Sequence, residues 1–397
     1  MQARLGDRSL FSLLTVEIYA NHAGISPPSD PVREAAAAVL NELAGSGSLA
    51  FGAFVEQRER LRGKLATLLG AQAGEIALVP NTMYGLSTVA LSVPWTRGDR
   101  VIAFCGEYPT NVTPFQRAAE LFGLQLTLLP VSDFAASGGP DYSRLSAELA
   151  RGGVRLCAVS AVQFQTGLRM PLREIAELCH GYGAELVVDA IQAAGAVPLD
   201  VRALELDYLV AGAHKWLMGT DGAGVLYARQ ECLAKLRPAI TGNMSYVDGL
   251  DMLLAGPGHL RYDRALRSDA KVFEGGMLSS ANCAALEASV DLLLGLGVAE
   301  IYEHVNAYHD LLEPQLTRRG FVSLRASDAA RRSCTLSLQP PAAWPAPRLA
   351  SVLGKRGIVC SCPDGLLRFS PHWPNAHAEV ARIVSVVDDV IAELATA

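Results

Sequence analysis

The chain has 397 residues, a formal net charge of −6 and an apolar fraction of 50%; because single cores stop growing at roughly 250–300 residues, two domains are expected. A charged fraction of 19% with a positive mean hydropathy excludes a disordered chain. The mildly acidic balance, without a basic cluster, argues against a nucleic-acid partner.

Cysteine usage and apolar runs bear on the compartment. Eight cysteines are scattered through apolar stretches, which is typical of free thiols in a reducing cytoplasm and not of a disulfide framework. The apolar run at residues 9–20 is interrupted by Glu17 and, like the run at 292–296, is shorter than the roughly 20 residues that a membrane span needs. We interpret residues 9–20 as a short buried strand. The sequence therefore predicts a soluble cytoplasmic protein without a membrane partner.

Helical and strand-like stretches alternate along most of the chain. Apolar residues recur at helical spacing over residues 30–43 and 54–69. Strands are predicted by short apolar runs at residues 75–79, 100–103, 125–129, 156–160, 185–188 and 208–211. Strands separated by helices imply a mostly parallel sheet covered on both faces, with the functional site beyond the carboxyl ends of its strands.

A second, smaller unit follows this sheet. A helical stretch at residues 284–297 leads to strand-like segments within 321–338 and 358–369, and to a final helix at 376–394. We therefore predict a large cofactor-binding domain at residues 21–284, and a small domain formed by residues 1–20 and 285–397.

The segment 185–216 places an acid and a lysine at the ends of two strands. Asp189 ends one apolar strand, Gln192 follows three residues later, and Lys215 comes after the next strand. Pyridoxal phosphate needs a lysine amine for its Schiff base and a carboxylate that keeps its pyridine nitrogen protonated. Gln192 suits the phenolic oxygen of the ring as a donor. Taken alone, Asp189 could simply cap a helix and Lys215 could be an exposed loop lysine. Their combination, each after a strand and in this order, favours a pyridoxal-phosphate site.

This arrangement resembles the class V aminotransferase family of fold-type I pyridoxal-phosphate enzymes, which includes cysteine desulfurases, selenocysteine lyases, kynureninases and isopenicillin N epimerase-like proteins. The resemblance runs from residues 21–28 to residues 367–375. It implies an α/β fold with a large domain around a mostly parallel sheet and a smaller C-terminal α/β domain. It also implies the following roles: an aldimine on Lys215, a pyridine partner in Asp189, a phenolate contact from Gln192 and a phosphate contact from His214.

Three further motifs match cofactor-binding positions of the family. Thr82 and the Met83 amide begin a predicted helix and match a phosphate grip, although a second hydroxyl is usual where Met83 stands. Tyr108 matches the aromatic or histidine that stacks on the cofactor ring. Gln163 matches a position that faces the pocket shared by cofactor and substrate.

Substrate binding and assembly are implied in the same way. Arg368 matches the arginine that clamps the α-carboxylate of the substrate, for which a bidentate guanidinium is well suited. His22 and Gly24 lie where the N-terminal segment approaches the substrate. Residues 273–280 match a segment that crosses a dimer interface, so a homodimer with shared active sites is implied.

One departure affects that interface segment. The family usually places a threonine, which donates a hydroxyl to the phosphate of the neighbouring subunit, where this chain has Met277. Ser279 or Ser280 would have to replace it.

The resemblance leaves the reaction open. Once a substrate amine has displaced Lys215, the freed amine removes the α-proton as general base. The resulting quinonoid leads to transamination, to epimerisation or to β-elimination, and we favour an aminotransferase or a C–S or β-elimination lyase. A cysteine desulfurase would need a nucleophilic thiol, and Cys360 is its candidate. The strand-like setting of Cys360 and the short loop before Arg368 favour a structural thiol instead. The stretch 242–267 is predicted to hold specificity loops.

Other classes of protein fit less well. A nicotinamide-dependent dehydrogenase requires G-x-G-x-x-G, and the glycine pair Gly45 and Gly47 is followed by no third glycine at that spacing. The Cys360/Cys362 pair has no second ligand pair, so no metal site is predicted. A pyridoxal-phosphate-binding regulatory protein is the alternative that is not an enzyme.

Overall fold

A computed structural model describes residues 3–136 and 138–396 of the chain. Its strands are β1 (Ile18–Tyr19), β2 (Ile76–Leu78), β3 (Arg100–Cys105), β4 (Gln125–Pro130), β5 (Val154–Ser160), β6 (Glu185–Asp189), β7 (Tyr208–Gly212), β8 (Gly224–Ala228), β9 (Val322–Ser323), β10 (Leu336–Gln339), β11 (Ile358–Val359) and β12 (Leu367–Phe369). Its α-helices are α1 (Asp30–Ser46), α2 (Phe51–Leu69), α3 (Thr82–Ser92), α4 (Thr113–Phe122), α5 (Ser143–Ala150), α6 (Leu172–Gly181), α7 (Gln230–Leu233), α8 (Asp251–Leu254), α9 (Ser280–Leu296), α10 (Val298–Thr317), α11 (Ala346–Lys355) and α12 (Glu379–Thr396).

A seven-stranded sheet in the order β2-β8-β7-β6-β5-β3-β4 forms the centre of the fold. Neighbouring strands from β4 to β7 run parallel, whereas β8 is antiparallel to both β7 and β2. β7 and β8 are buried at every position, as expected for strands covered on both faces. The predicted mostly parallel α/β sheet is confirmed. β8 was not among the predicted strands.

The N-terminal apolar run differs from its prediction. Only Ile18 and Tyr19 of residues 9–20 form a strand, while residues 9–17 make turns. Leu10 and Phe11 are buried nonetheless, because they pack into the main core together with Trp373. The apolar character of this run therefore reflects burial in turns and not a long strand.

The C-terminal residues build a second sheet. β9, β10 and β12 form an antiparallel sheet, and β1 pairs in parallel with β11. The N-terminal segment thus joins the C-terminal unit, and Asn21 continues this pairing with Ser370. The domain limits given above stay a prediction; residues 1, 2, 137 and 397 within them lie outside the described residues.

A buried ion pair fixes the segment 273–280 to the large sheet. Arg62 on α2 is 2% exposed and contacts Glu274 at 2.5 Å. Glu274 also accepts the backbone N–H of Leu78 in β2, and Arg62 donates to the carbonyl of Ile76. Removing Arg62 would leave Glu274 buried and unpaired, and removing Glu274 would leave Arg62 with only the half-exposed Glu59, at 3.3 Å, as its partner.

The helical stretch 30–69, which contains α1 and α2, is long and apolar enough to cross a membrane by length and composition. α2 packs Leu61 and Leu65 into the main core. α1 packs against α9 but leaves Leu40 and Leu43 exposed, and Leu49 after it is 86% exposed. This stretch therefore carries an apolar surface that the described residues do not cover.

Candidate active site

A cavity of about 600 Å³ lies at the carboxyl ends of the central strands. It brings together loops that are far apart in sequence, as expected for an open α/β sheet. Its walls are formed by Ala23, Gly24, Asn81, Thr82, Met83, Tyr108, Thr110, Phe164, Asp189, Ile191, Gln192, His214, Lys215, Pro363 and Arg368. The predicted site residues are among them except for His22 and Gln163.

Asp189 and Lys215 face this cavity because their strands are neighbours. β6 and β7 run parallel, and Asp189 is paired in register with Val210. Asp189 ends β6, and Lys215 follows β7 in a short turn. Asp189 and Lys215, which are 26 residues apart in sequence, therefore line the same cavity.

Burial disfavours charge on both groups. The pKa of Lys215 is lowered to about 8 by burial, with the nearby Asp189 opposing and Arg368 reinforcing the shift. The pKa of Asp189 is raised to about 6 by burial, against the hydrogen bond from the Ile191 N–H and the charge of Lys215. A buried lysine amine with a lowered pKa is a suitable base or nucleophile near neutral pH.

Gln192 and His214 flank this pair. The amide of Gln192 donates to the carbonyl of Ala23 at 3.1 Å and accepts the indole N–H of Trp216 at 2.8 Å. One of its two N–H groups is therefore left for a ligand. Burial and the neighbouring Lys215 lower the pKa of His214, so its ring is neutral over a wider pH range.

The start of α3 offers donors to an anion. Asn81 caps the helix by accepting the Tyr84 N–H, which leaves the first-turn amides of Thr82 and Met83 without an intrahelical acceptor. Thr82 accepts the Gly212 N–H at 2.9 Å, so its own hydroxyl proton is free to point into the cavity. A Cβ on Gly85 would lie 2.4 Å from Val210, so glycine permits the close packing of α3 on β7.

Arg368 on β12 is 5% exposed and lacks an acidic partner among the described residues. Its Nε donates to Ser361 at 3.0 Å and its Nη1 to the carbonyl of Phe164 at 2.7 Å. Burial lowers its pKa to about 10. A guanidinium held by two neutral acceptors, with further N–H groups facing the cavity, is suited to bind a carboxylate.

Tyr108 stands at the mouth of the cavity. Its ring is 49% exposed, packs edge-on against Phe164 at 5.4 Å, and lies 5.6 Å from the Lys215 Nζ. Gly24 also lines the cavity. A Cβ at this position would lie 2.8 Å from the side chain of Asn21, so a glycine is needed for the close packing here.

The structure does not bring Gln163 or His22 to the cavity wall. The side-chain oxygen Oε1 of Gln163 accepts the backbone N–H groups of Gln165 and Thr166, and its side-chain N–H donates to the Gly106 carbonyl, so this residue holds its own loop together. Its neighbour Phe164 faces the cavity instead. His22 is bonded to Ser26, whose hydroxyl donates to the carbonyl of Lys215. His22 therefore supports the lysine turn from behind.

The predicted interface and specificity segments also lie away from this cavity. Met277 is 64% exposed and lies outside the lining. Ser279 accepts the Asn282 N–H as the cap of α9, Ser280 accepts from Arg58, and neither residue lines the site cavity. The stretch 242–267 surrounds a separate cavity of about 400 Å³.

No cysteine lines the site cavity within the part of the chain that the structure describes. Cys360 packs against the core of the C-terminal unit, and burial raises its pKa to about 12. It is therefore a poor nucleophile at neutral pH. Within residues 3–136 and 138–396, no group of three metal-ligating side chains is found.

Glu107 is a buried acid that sequence reasoning missed. Its carboxylate accepts the N–H of Ser160 at 2.8 Å and the hydroxyl of the same residue. Burial raises its pKa to about 7, and Asp189 reinforces the shift. The position of Glu107, directly before the predicted site residue Tyr108, was the sequence signal that could have indicated it.

The chain was compared with known proteins. The family model described as Aminotransferase class-V matches residues 18–365. An uncharacterised aminotransferase, YcbU, of Bacillus subtilis is 24% identical over 96% of both chains. A cysteine desulfurase of Dickeya dadantii is 33% identical over 62% of this chain and 57% of its own length. A structure of C-DES, with glycine covalently linked to its PLP cofactor, superposes with a TM-score of 0.87 at 24% identity and covers 96% of this chain and 99% of that one.

Proposed function

We propose a C–S lyase activity for this chain, which belongs to the aminotransferase class-V family and is a pyridoxal-phosphate-dependent enzyme that acts on an α-amino acid. The proposed reaction removes a thiol from the β-carbon of a cysteine-type amino acid. The proposal depends on the titratable groups of the site cavity. Lys215 has a lowered pKa, and none of the described lining residues is a cysteine.

The donor set of the cavity fits pyridoxal phosphate. Thr82 and the first-turn amides of α3 would hold the phosphate, with His214 beside it. Asp189 would pair with the pyridine nitrogen, and the remaining N–H of Gln192 would reach the phenolic oxygen. When bound, the cofactor supplies an electron sink that makes the α-C–H bond of an amino acid acidic.

Residues of the cavity wall have separate roles in substrate binding and proton transfer. Arg368 fixes the α-carboxylate of the substrate, because Ser361 and the Phe164 carbonyl hold its guanidinium in place. The Lys215 amine takes the α-proton, for which its lowered pKa of about 8 is suited. Tyr108 and Phe164, which pack edge-on against each other, form one side of the cavity.

The charges of the cavity favour a substrate with an uncharged side chain. Its cationic or basic lining groups are Lys215, His214 and Arg368, and each is assigned to a proton transfer, the phosphate or the α-carboxylate. A second carboxylate, such as glutamate or 2-oxoglutarate brings to transamination, would find no cation among the described lining residues. A thiolate leaves with its electron pair without needing a general acid, so an S-substituted cysteine fits best.

A product analysis of the holoenzyme tests this proposal. With an S-alkyl cysteine, cleavage of the Cα–H and Cβ–S bonds is expected to give thiol, pyruvate and ammonia in equal amounts. The Lys215→Ala protein, incubated in parallel, is the control. An intact keto acid without ammonia would mean transamination, and alanine from cysteine would mean sulfur transfer. Either result would overturn the lyase assignment.

We also propose that the chain works as a cytoplasmic homodimer. The eight free cysteines support the reducing compartment. The exposed leucines of the stretch 30–69, Leu40, Leu43 and Leu49, support a second copy as the partner, because an apolar surface of this kind is characteristic of subunit contacts. In sedimentation experiments, Leu49→Glu is expected to shift the protein toward the monomer, whereas Leu121→Glu on the exposed face of α4 is not. A wild-type protein that sediments as a monomer at assay concentration would contradict the dimer.

A further inference from the structure

A second cavity, of about 310 Å³, lies next to the site cavity along the chain. The two share a stretch of chain, because Gln192 lines the site cavity and Ala193 lines the second one. We call the second one the rear cavity. The residues that line it come from five parts of the chain, within 140–142, 169–174, 193–204 and 328–331 and at position 161.

The rear cavity contains cationic groups that lack an acidic partner. Arg331 lines it, and the Nε and Nη2 atoms of Arg331 are buried with no acceptor among the described residues. Arg169 also lines it, donating to the Pro198 carbonyl at 3.4 Å and lying 5.9 Å from the ring of Tyr302, without an ion pair in the part of the chain described. A buried guanidinium donor without an acceptor is unfavourable, so this arrangement favours an anionic ligand.

The other charged groups of the wall form no hydrogen bond or ion pair with Arg331 among the described residues. Arg173 is paired with Glu177 and Glu205. Asp328 accepts the N–H of Ala330, and Glu174 is exposed. None of them provides the acceptor that Arg331 lacks.

The first turn of α6 adds donors to the same wall. Pro171 stands at the cap position and has no side-chain acceptor, so the N–H groups of Arg173 and Glu174 have no intrahelical partner. Both residues line the rear cavity. The positive end of this ten-residue helix and the Arg331 guanidinium therefore point to the same kind of ligand.

The remainder of the wall is apolar. Met170, Leu172 and Val197 are each at most 4% exposed, and Leu199 completes this surface. A ligand that satisfies both parts of the wall has one anionic group and a compact apolar body. We propose that the rear cavity is a second binding site of this protein, which takes an organic monocarboxylate with an aryl or alkyl body, its carboxylate on Arg331 and the start of α6.

Titration calorimetry of the holoenzyme with 3-phenylpropionate tests the site. Because a carboxylate could also bind Arg368, the same titration is made with the Arg368→Ala holoenzyme, which is expected to keep the binding. Arg331→Gln is expected to weaken binding roughly tenfold or more, since it removes a charge-assisted contact. Arg332→Gln is the matched control, because the Arg332 guanidinium is held by the Ala326 and Ser327 carbonyls.

Two further measurements keep the proposal falsifiable. The neutral amide, 3-phenylpropionamide, is expected to bind roughly tenfold more weakly than the acid. Leu204→Phe fills the rear cavity from its apolar side and is expected to abolish binding even if Arg331→Gln fails to fold. The proposal is overturned if wild-type protein shows no binding up to about 10 mM acid, if amide and acid bind equally, or if Arg368→Ala alone removes the binding.

Discussion

The lowered pKa of Lys215 predicts how the apoprotein captures its cofactor at different pH values. Only a neutral amine attacks the aldehyde of pyridoxal phosphate, and burial lowers the pKa of Lys215 to about 8. At pH 7 roughly 10% of this amine is neutral, which is roughly 300-fold more than for a lysine of ordinary pKa. The capture rate should therefore rise about tenfold per pH unit below pH 7, roughly fivefold between pH 7 and pH 8, and level off above pH 8.

The assay follows covalent capture directly. Apoprotein, prepared by removing the cofactor with hydroxylamine, is mixed with pyridoxal phosphate in a stopped-flow spectrometer at several pH values. Butylamine in the same buffers corrects for the titration of pyridoxal phosphate itself. Borohydride reduction followed by peptide mass spectrometry confirms that the modified residue is Lys215, and Lys215→Ala should show no fixed cofactor.

Two charge variants test the cause of the shift. Arg368 lowers the pKa of Lys215 and Asp189 raises it. Arg368→Gln should therefore move the midpoint of the capture profile to higher pH, and Asp189→Asn should move it to lower pH. A wild-type midpoint near that of free lysine, or variant shifts of the opposite sign, would refute the electrostatic reasoning.

Three other substitutions have definite expected outcomes. Arg368→Ala should lower kcat/KM on the true substrate by roughly 10²-fold while the absorbance of the bound cofactor is unchanged; an unchanged kcat/KM in steady-state assays would remove the clamp assignment. Glu274→Gln should destabilise the fold by about 3 kcal/mol in urea unfolding because Arg62 loses its buried partner and keeps only the half-exposed Glu59, whereas Asp291→Asn, at a half-exposed acid, should lose less than about 1 kcal/mol. Cys360→Ser should keep the rate of thiol release, measured with a thiol reagent, and a protein that binds cysteine but no longer releases its sulfur would make Cys360 catalytic.

The parallel part of the fold and the lysine–aspartate wall were predictable from sequence for one physical reason. Buried parallel strands are near-continuous apolar runs, and the residue after each run lies at the carboxyl edge of the sheet. Asp189 and Lys215 both follow such runs, on strands β6 and β7, so their approach required only that those strands be neighbours. β8 was missed because it follows the turn with Lys215 directly, without a helix in between, and pairs antiparallel with β7.

The direction of individual side chains was not predictable. Gln163 and Phe164 are adjacent at the end of β5, and the sequence does not determine which of them faces the cavity. The structure shows that Gln163 closes its own loop through the Gln165 and Thr166 N–H groups, which leaves Phe164 at the wall. Pro363 is similar, since its place at the cavity depends on how the C-terminal unit docks, which is a property of tertiary packing and not of local pattern.

The position of Arg368 links substrate binding to the strength of the base. Arg368 and Lys215 face one cavity, and the cationic guanidinium lowers the pKa of the lysine. A substrate carboxylate paired with Arg368 neutralises much of that charge, because an ion pair acts on its surroundings more weakly than the isolated cation. The pKa of Lys215 then rises by the part of the shift that Arg368 contributes, while burial, the largest cause, keeps it below the ordinary value. The amine thus becomes a slightly stronger base when the α-proton lies within its reach and still has a pKa near neutral pH, and an amino acid without its carboxylate would lose this gain together with its clamp.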